Sequence, residues 1–191
     1  MILSLYEKFR PWSKTGSVWL ISDTHFDDTD RAFMGYVVTE SDQMQLLKSK
    51  IHKPDTLVHL GDVGNPEYLN ELKCYKVLIL GNHDFTPSKF QKYFDEVYSG
   101  PLFIGEKILL SHEPIDLGNI AFNIHGHDHN PNNTGSWNHL NLAANVVNYE
   151  PLNLGKFIKS GGISLVEGIH RQTIDLAIEK KRGVVSGNSV L

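Results

Sequence analysis

Five short apolar runs in this chain end in the same way, and that repetition limits the available folds more than any single motif does. SVWLIS (17–22) runs into Asp23-Thr24-His25, and TLVHL (56–60) into Gly61-Asp62. YKVLIL (75–80) runs into Gly81-Asn82-His83-Asp84, KILLS (107–111) into His112, and IAFNIH (120–125) into Gly126-His127-Asp128-His129. Short apolar runs bounded by turn residues read as buried strands. In open α/β sheets, ligands bind beyond the carboxyl ends of the strands. A fold for this chain therefore has to aim five loops, each bearing an acid, amide or imidazole, at one place.

The side chains delivered there fit metal chemistry. Asp23, Asp62 and Asn82 offer oxygen; His25, His112, His127 and His129 offer nitrogen. Mixed oxygen and nitrogen donors without sulfur suit Mn²⁺, Fe²⁺ or Zn²⁺ better than copper(I). The set exceeds what one tetrahedral ion takes, and it suffices for two ions if one carboxylate bridges. A bridged pair about 3.5–4 Å apart polarises a phosphoryl group and supplies the nucleophile for in-line displacement. Glycine stands before Asp62, Asn82 and His127, where tight strand ends need unusual backbone angles and close approach.

Composition sets the outer bounds. A length of 191 residues suits one domain over 1–191, and an apolar share of 40% supports a buried core. The formal net charge is −4 with no block of one sign at either end, which argues against a coat for nucleic acid or an anionic membrane. A single-nucleotide substrate stays open, because bound cations reverse the sign of a pocket. Cys74 is the lone cysteine, so an internal disulfide and a thiolate cluster are excluded and a cytoplasmic setting is expected. Glu7, Lys8 and Arg10 interrupt the N-terminal segment in a way a signal peptide does not. No apolar run approaches the roughly 18 residues of a membrane span, so no membrane partner is expected.

Other elements are read more coarsely. Ile2, Leu5, Tyr6 and Phe9 suggest a short amphipathic helix over 2–9 that packs on the core. A helix is expected over 41–51, capped by Thr39 or Ser41, and another near Pro87. HLNLAANVV (139–147) reads as a further strand, NLGKFIKSG (153–161) as a short helix closed by Gly161, and IDLAIEKK (174–181) as a helix.

The ordered series DTH, GD, GNHD, H, GHDH between Asp23 and His129 resembles the calcineurin-like metallophosphoesterases, of the small bacterial or phage type. The resemblance implies a four-layered α/β/β/α sandwich of two mixed sheets, with a dinuclear metal site at the strand C-terminal ends. It implies one ion on Asp23, His25 and His129, a second on Asn82, His112 and His127, and Asp62 as the bridge. His83 would be catalytic, contacting phosphate and protonating the leaving oxygen. The cofactors implied are two divalent ions, with Mn²⁺ first and iron, zinc or nickel as alternatives. Within NIHGHDHN (123–130), His127 and His129 then face the ions while Asp128, between them, points elsewhere.

Protein phosphatases of that family follow the bridging aspartate with an acid and an arginine. Here the segment reads Gly61-Asp62-Val63-Gly64-Asn65-Pro66 and has neither, which turns the expectation away from phosphoproteins. Lys14, Arg31 and Lys89 are loose candidates for further phosphate-binding charge. The short chain leaves no room for a large cap, and an open groove suits a diester or small nucleotide. The expected activity is therefore phosphodiester hydrolysis by direct attack of water activated by the ions. A phosphomonoesterase or nucleotide pyrophosphatase is the alternative, and a non-enzymatic scaffold on the same fold is the contrasting class. Expected partners are small phosphoesters, nucleotides or nucleic-acid ends; no apolar stripe assigns a homodimer interface. Bland roles are expected elsewhere: His59 and His125 packed, His52, His139 and His170 structural or on the surface, Asp84 bonding loop backbone, and Asp27, Asp28 and Asp30 forming a solvated loop.

Overall fold

The computed structural model describes residues 3–4, 9, 11–169 and 178. Along the chain lie β1 (Leu3–Ser4), β2 (Val18–Ile21), α1 (Glu40–Lys50), β3 (Thr56–His59) and a 3₁₀ turn (Pro66–Glu71). Then follow β4 (Tyr75–Ile79), α2 (Pro87–Phe90), β5 (Glu96–Tyr98), β6 (Leu102–Gly105), β7 (Ile108–Leu110) and β8 (Phe122–His125). β9 (His139–Asn141), β10 (Leu152–Asn153) and α3 (Leu154–Lys159) complete the series.

These strands form two five-stranded mixed sheets, ordered β10-β2-β3-β4-β5 and β1-β6-β7-β8-β9. In the first, β2 to β5 are parallel and β10 is antiparallel at the edge. In the second, the β6–β7 pair is antiparallel and the rest are parallel.

The period-two alternation of a strand sorts its side chains between two cores. Val18, Leu20, Val58, Val77 and Ile79 of the first sheet meet Leu102, Ile104, Leu110, Phe122 and Ile124 of the second. Ile21, Leu57 and Leu78 point the other way, onto Met44 and Leu47 of α1, Leu69 of the 3₁₀ turn and Phe90. On the far face of the second sheet, Phe103, Leu109 and Ala121 are covered by Ile115, Leu117 and Ile169. The result is the four-layered sandwich. Strands covered on both faces are apolar at nearly every position, which is why VWLI and KVLIL stand out in the sequence.

Thr39 caps α1: its hydroxyl oxygen accepts from the Asp42 amide at 3.1 Å. Glu40 and Asp42 in the first turn and Lys48 and Lys50 in the last suit the helix dipole. α3 runs as expected and is followed by Gly161 at φ +88°.

Three expectations change. Leu3–Ser4 is a strand pairing with β6, not part of a helix; it supplies β6 with an edge partner. The strand expected over 139–147 stops at Asn141. Beyond it the chain coils, with Val146 and Val147 both donating to the Ala143 carbonyl and Asn148 and Tyr149 at φ +52° and +62°. β5, β6, β10 and the 3₁₀ turn were not anticipated; β5 is half-buried throughout and β10 is two residues long, too little pattern to read. The helix expected over 174–181 falls outside the described residues except for Ile178, as does His170. Among the described residues no helix is long and apolar enough to cross a membrane.

One contact between the sheets fixes the functional end. Ser22, just past β2, donates to the Leu142 carbonyl and accepts from the Ala144 amide, both at 3.0 Å. Leu142 also donates to His125 at the end of β8, at 2.7 Å. The carboxyl ends of β2 and β8 are thereby held side by side.

Candidate metal centre

The loops beyond these strands are bent hard. Asp23, His25, Asp62 and His127 adopt φ values of 55°, 43°, 55° and 69°. Non-glycine residues rarely occupy this left-handed region, and each one held there costs about 1–3 kcal/mol. Backbone contacts keep them in place. Asp23 donates to Gly61 at 2.9 Å and His25 donates to Asp62 at 3.1 Å, coupling the first two loops. The buried Asp84 carboxylate accepts from the Asp62, Val63 and Gly81 amides at 2.8, 3.2 and 2.9 Å, coupling the second to the third. Two glycines permit the approach. A Cβ at Gly81 would lie 2.1 Å from Asp62 Oδ1, and one at Gly126 would lie 2.1 Å from Asp23 Oδ2.

Two groups of donors result. Asp23, His25 and His129 converge in one, and Asp62, His112 and His127 in the other. Asp23 Oδ1 lies 3.8 Å from His25 Nε2 and 3.6 Å from His129 Nε2. Asn82 joins the second group: its Oδ1 is 2.8 Å from His112 Nε2 and 2.9 Å from His127 Nδ1. Asp62 Oδ2 faces both groups, 3.7 Å from His25 Nε2 and 3.3 Å from His112 Nε2. All seven sequence-derived candidates are brought together.

The donor atoms suit cations. Among the described residues, Asp23 Oδ1 and His25 Nε2 are buried with no hydrogen-bond partner. Leaving such atoms unmet costs about 1–3 kcal/mol each, more when charged, and both belong to the first donor group. Three imidazoles are locked with Nδ1–H donating outward: His25 to Asp28 Oδ2 at 2.9 Å, His112 to the Leu60 carbonyl at 2.9 Å, and His129 to Asn145 Oδ1 at 3.1 Å. Each Nε2 lone pair is thereby turned inward, the arrangement typical of metal-ligating histidines. In the protein alone, burial opposes charging of His112, but its bond to Asp62 and the nearby Asp23 outweigh that and raise its pKa to about 9. Burial likewise opposes charge on Asp62, yet His112 and the His83 amide hold it down at about 2. The pair is a proton-held version of a site where a cation would replace the proton.

His83 is half-exposed, its amide donating to Asp62 Oδ1 at 2.8 Å, and its ring stands 5.2 Å from that of His25. It is in neither of these two donor groups. His59 is a core residue: Nδ1 accepts from Gly61 at 3.2 Å, Nε2 donates to Thr24 at 3.0 Å, and burial drives its pKa down to about 3. His125 is buried and pairs with His139 at 3.2 Å. Asp128 accepts from Asn130 and Asn133 within its own loop.

Arg31 is not available to phosphate. It is buried, donating to the Thr24 and Val38 carbonyls at 2.6 and 3.1 Å, paired with Glu40 at 3.2 Å and lying 4.5 Å over the Tyr36 ring. Lys14 precedes β2, at the opposite strand end. Lys89 does reach the site's flank, lining a pocket with His83 and Phe85.

Sequence reasoning missed three supporting residues. Asp28 is more than a solvated acid, because it holds His25. Asn145 holds His129, and Tyr36 donates its hydroxyl to the Asp23 carbonyl. The DTHFDD spacing carried a signal for Asp28, three residues after His25. Asn145 was hidden by reading its segment as a strand.

Two adjoining oxygen and nitrogen donor sets at the carboxyl ends of two packed mixed sheets define a candidate dinuclear metal centre. The family model of the calcineurin-like phosphoesterase superfamily domain matches residues 17–148, and the chain belongs to that superfamily. It is accordingly a metal-dependent phosphoesterase by family, and the family generally binds two divalent ions. Among solved structures, the chain is similar to AQ665 of Aquifex aeolicus, a protein of unknown function: 25% identity, TM-score 0.60, covering 75% of this chain and 98% of that one. A Pseudomonas putida nuclease, MPE, also matches at 24% identity and TM-score 0.38, covering 58% of this chain and 59% of that one. A search of curated proteins gave no significant match.

Proposed function

We propose that this phosphoesterase is a phosphodiesterase acting on nucleotide-type substrates. In this reading Asp23, His25 and His129 hold one divalent ion, Asn82, His112 and His127 hold the other, and Asp62 is shared. The observation that carries it is the placement of Asp62 Oδ2 within 3.7 Å of His25 Nε2 and 3.3 Å of His112 Nε2. The mixed oxygen and nitrogen donors are compatible with Mn²⁺, which we take first, and with iron, zinc or nickel as alternatives. When bound, such a pair supplies an activated water as nucleophile and positive charge against the phosphoryl oxygens.

The chain's own residues do the rest. Asp62 and Asp84 hold the two central loops at fixed separation through the amide bonds given above. His83, tethered by its amide to Asp62 Oδ1 and with its ring exposed, would give a proton to the leaving oxygen. That step is typically worth about 10²–10⁴-fold.

Preference for a diester is supported by recesses on two sides. One, of about 520 Å³, is lined by Asp28, His83, Phe85, Thr86 and Lys89. The other, of about 300 Å³, is lined by Asn82, Ser99, His112 and Glu113. A diester has two arms to seat; a monoester has one. The test is turnover of bis(p-nitrophenyl) phosphate against p-nitrophenyl phosphate with Mn²⁺. Faster diester cleavage is expected, and preferential monoester cleavage would overturn the assignment.

A further inference from the structure

The His83 ring has to be steadied if it is to meet a leaving oxygen, and the segment after Asp62 supplies no acid to do it. Among the described residues, Asp28 is the one that brings a carboxylate within 4.0 Å of a His83 ring nitrogen, with Oδ2 4.0 Å from Nδ1. The same Oδ2 accepts from His25 Nδ1 at 2.9 Å, while Oδ1 accepts from the Asp30 amide at 2.9 Å. His25, Asp28 and His83 form a compact triad of their own, with the two rings 5.2 Å apart and nearly perpendicular at 85°. Asp28 is itself only 19% exposed, so little water competes for its charge.

We propose that Asp28 is a shared positioning residue. One oxygen locks His25 in its ligating tautomer and also orients His83 towards the substrate phosphate. The first half follows from donor rules: a carboxylate accepts only, so His25 Nδ1 must carry the proton and Nε2 must present its lone pair. The second half follows from charge and reach. Asp28 is held by His25 and the Asp30 amide, so its charge stays 4.0 Å from His83 Nδ1, and a turn of the exposed His83 ring would bring the two into a hydrogen bond. Asp28 thus ties a metal ligand to the proton donor, and the second role rests on the function proposed above.

The experiment uses the full chain carrying Asp28→Ala, His83→Ala, or both. Alanine removes both the acceptor for His25 Nδ1 and the charge that faces His83. Calorimetric titration of chelator-stripped protein with Mn²⁺ is expected to show affinity lowered by about 10-fold, at the lower end for residues that orient a ligand. At saturating Mn²⁺, kcat on a dinucleotide with an alkoxide leaving group is expected to fall about 10-fold with KM little changed, and that loss should vanish in the His83→Ala background. Unchanged Mn²⁺ affinity would overturn the His25 role. A kcat loss of the same size with and without His83 would overturn the His83 role. The metal titration needs no turnover, so a wild-type protein that binds Mn²⁺ but cleaves no diester would remove the functional reading without deciding the His25 half.

Discussion

Asp62 occupies the position from which one carboxylate reaches both donor groups, and its two oxygens are used differently. Oδ1 anchors the His83 amide, while Oδ2 faces His25 and His112. Asp62→Ala should therefore weaken both metal positions together, whereas Asn82→Ala should weaken the His112/His127 position more than the other. Metal counting and anomalous scattering on the two variants check this; full retention of both ions in Asp62→Ala would remove Asp62 as the bridge. His83→Ala should keep both ions while turnover falls about 10²-fold or more. The loss should be larger for a nucleotide diester than for a nitrophenyl ester, because nitrophenolate departs without a proton. An equal loss on both esters would mean that His83 stabilises phosphoryl charge instead. Residues of this kind were legible because few structural reasons gather seven such side chains at strand ends. Asp28 and Asn145 were not, because a single acid or amide in a loop has many ordinary explanations, and only coordinates show which imidazole it touches.

At the scale of elements, the centre depends on how closely two strand ends approach. β8 ends against β2 through Gly126, where a Cβ would sit 2.0 Å from Ser22 Oγ and 2.1 Å from Asp23 Oδ2. The His127 amide, next in sequence, donates to that same Asp23 oxygen at 2.9 Å. Gly126→Ala should therefore push the two loops apart and displace Asp23. We expect a drop in Mn²⁺ affinity by titration calorimetry and a lowered melting temperature, while the far-UV circular dichroism stays that of the parent. Unaltered affinity would mean that the loops have slack that these distances do not suggest. The elements that form this junction were the easy ones to read. β2, β3, β4, β7 and β8 are covered on both faces and appear as apolar runs. β5 and β10 lie at sheet edges and carry charged or polar residues, so no periodicity marks them. The coil after β9 has strand-like composition. It turns because Asn141 Oδ1 accepts from the Ala143 amide at 3.0 Å and starts a tight bend that the hydropathy pattern does not encode.

At the scale of the molecule, the candidate metal centre gathers loops from both sheets, so ion binding there would be linked to folding. Anything that binds only the folded state stabilises it, by about 2.7 kcal/mol at a hundredfold excess over the dissociation constant. The pH dependence of that gain has a definite sign. In metal-free protein His112 is raised from 6.5 to about 9. Its contribution to stability is full below pH 6.5 and is lost as pH rises through about 9. His59 is the opposite case, lowered from 6.5 to about 3 by burial, so its contribution is present above pH 6.5 and lost as pH falls towards 3. Chelator-treated protein should therefore melt highest near pH 6–7 and lower on both sides. An ion at His112 replaces the proton, so uptake releases about one proton from this residue and the apparent affinity rises with pH up to about 9. The gap in melting temperature between Mn²⁺-loaded and chelator-treated protein should accordingly widen from pH 6 to pH 9, while the acid-side fall caused by His59 persists in both. Scanning calorimetry across that range measures it. A gap that stays constant with pH would mean that no proton leaves His112 when the ion binds, and His112 would then have to be removed from the ligand set.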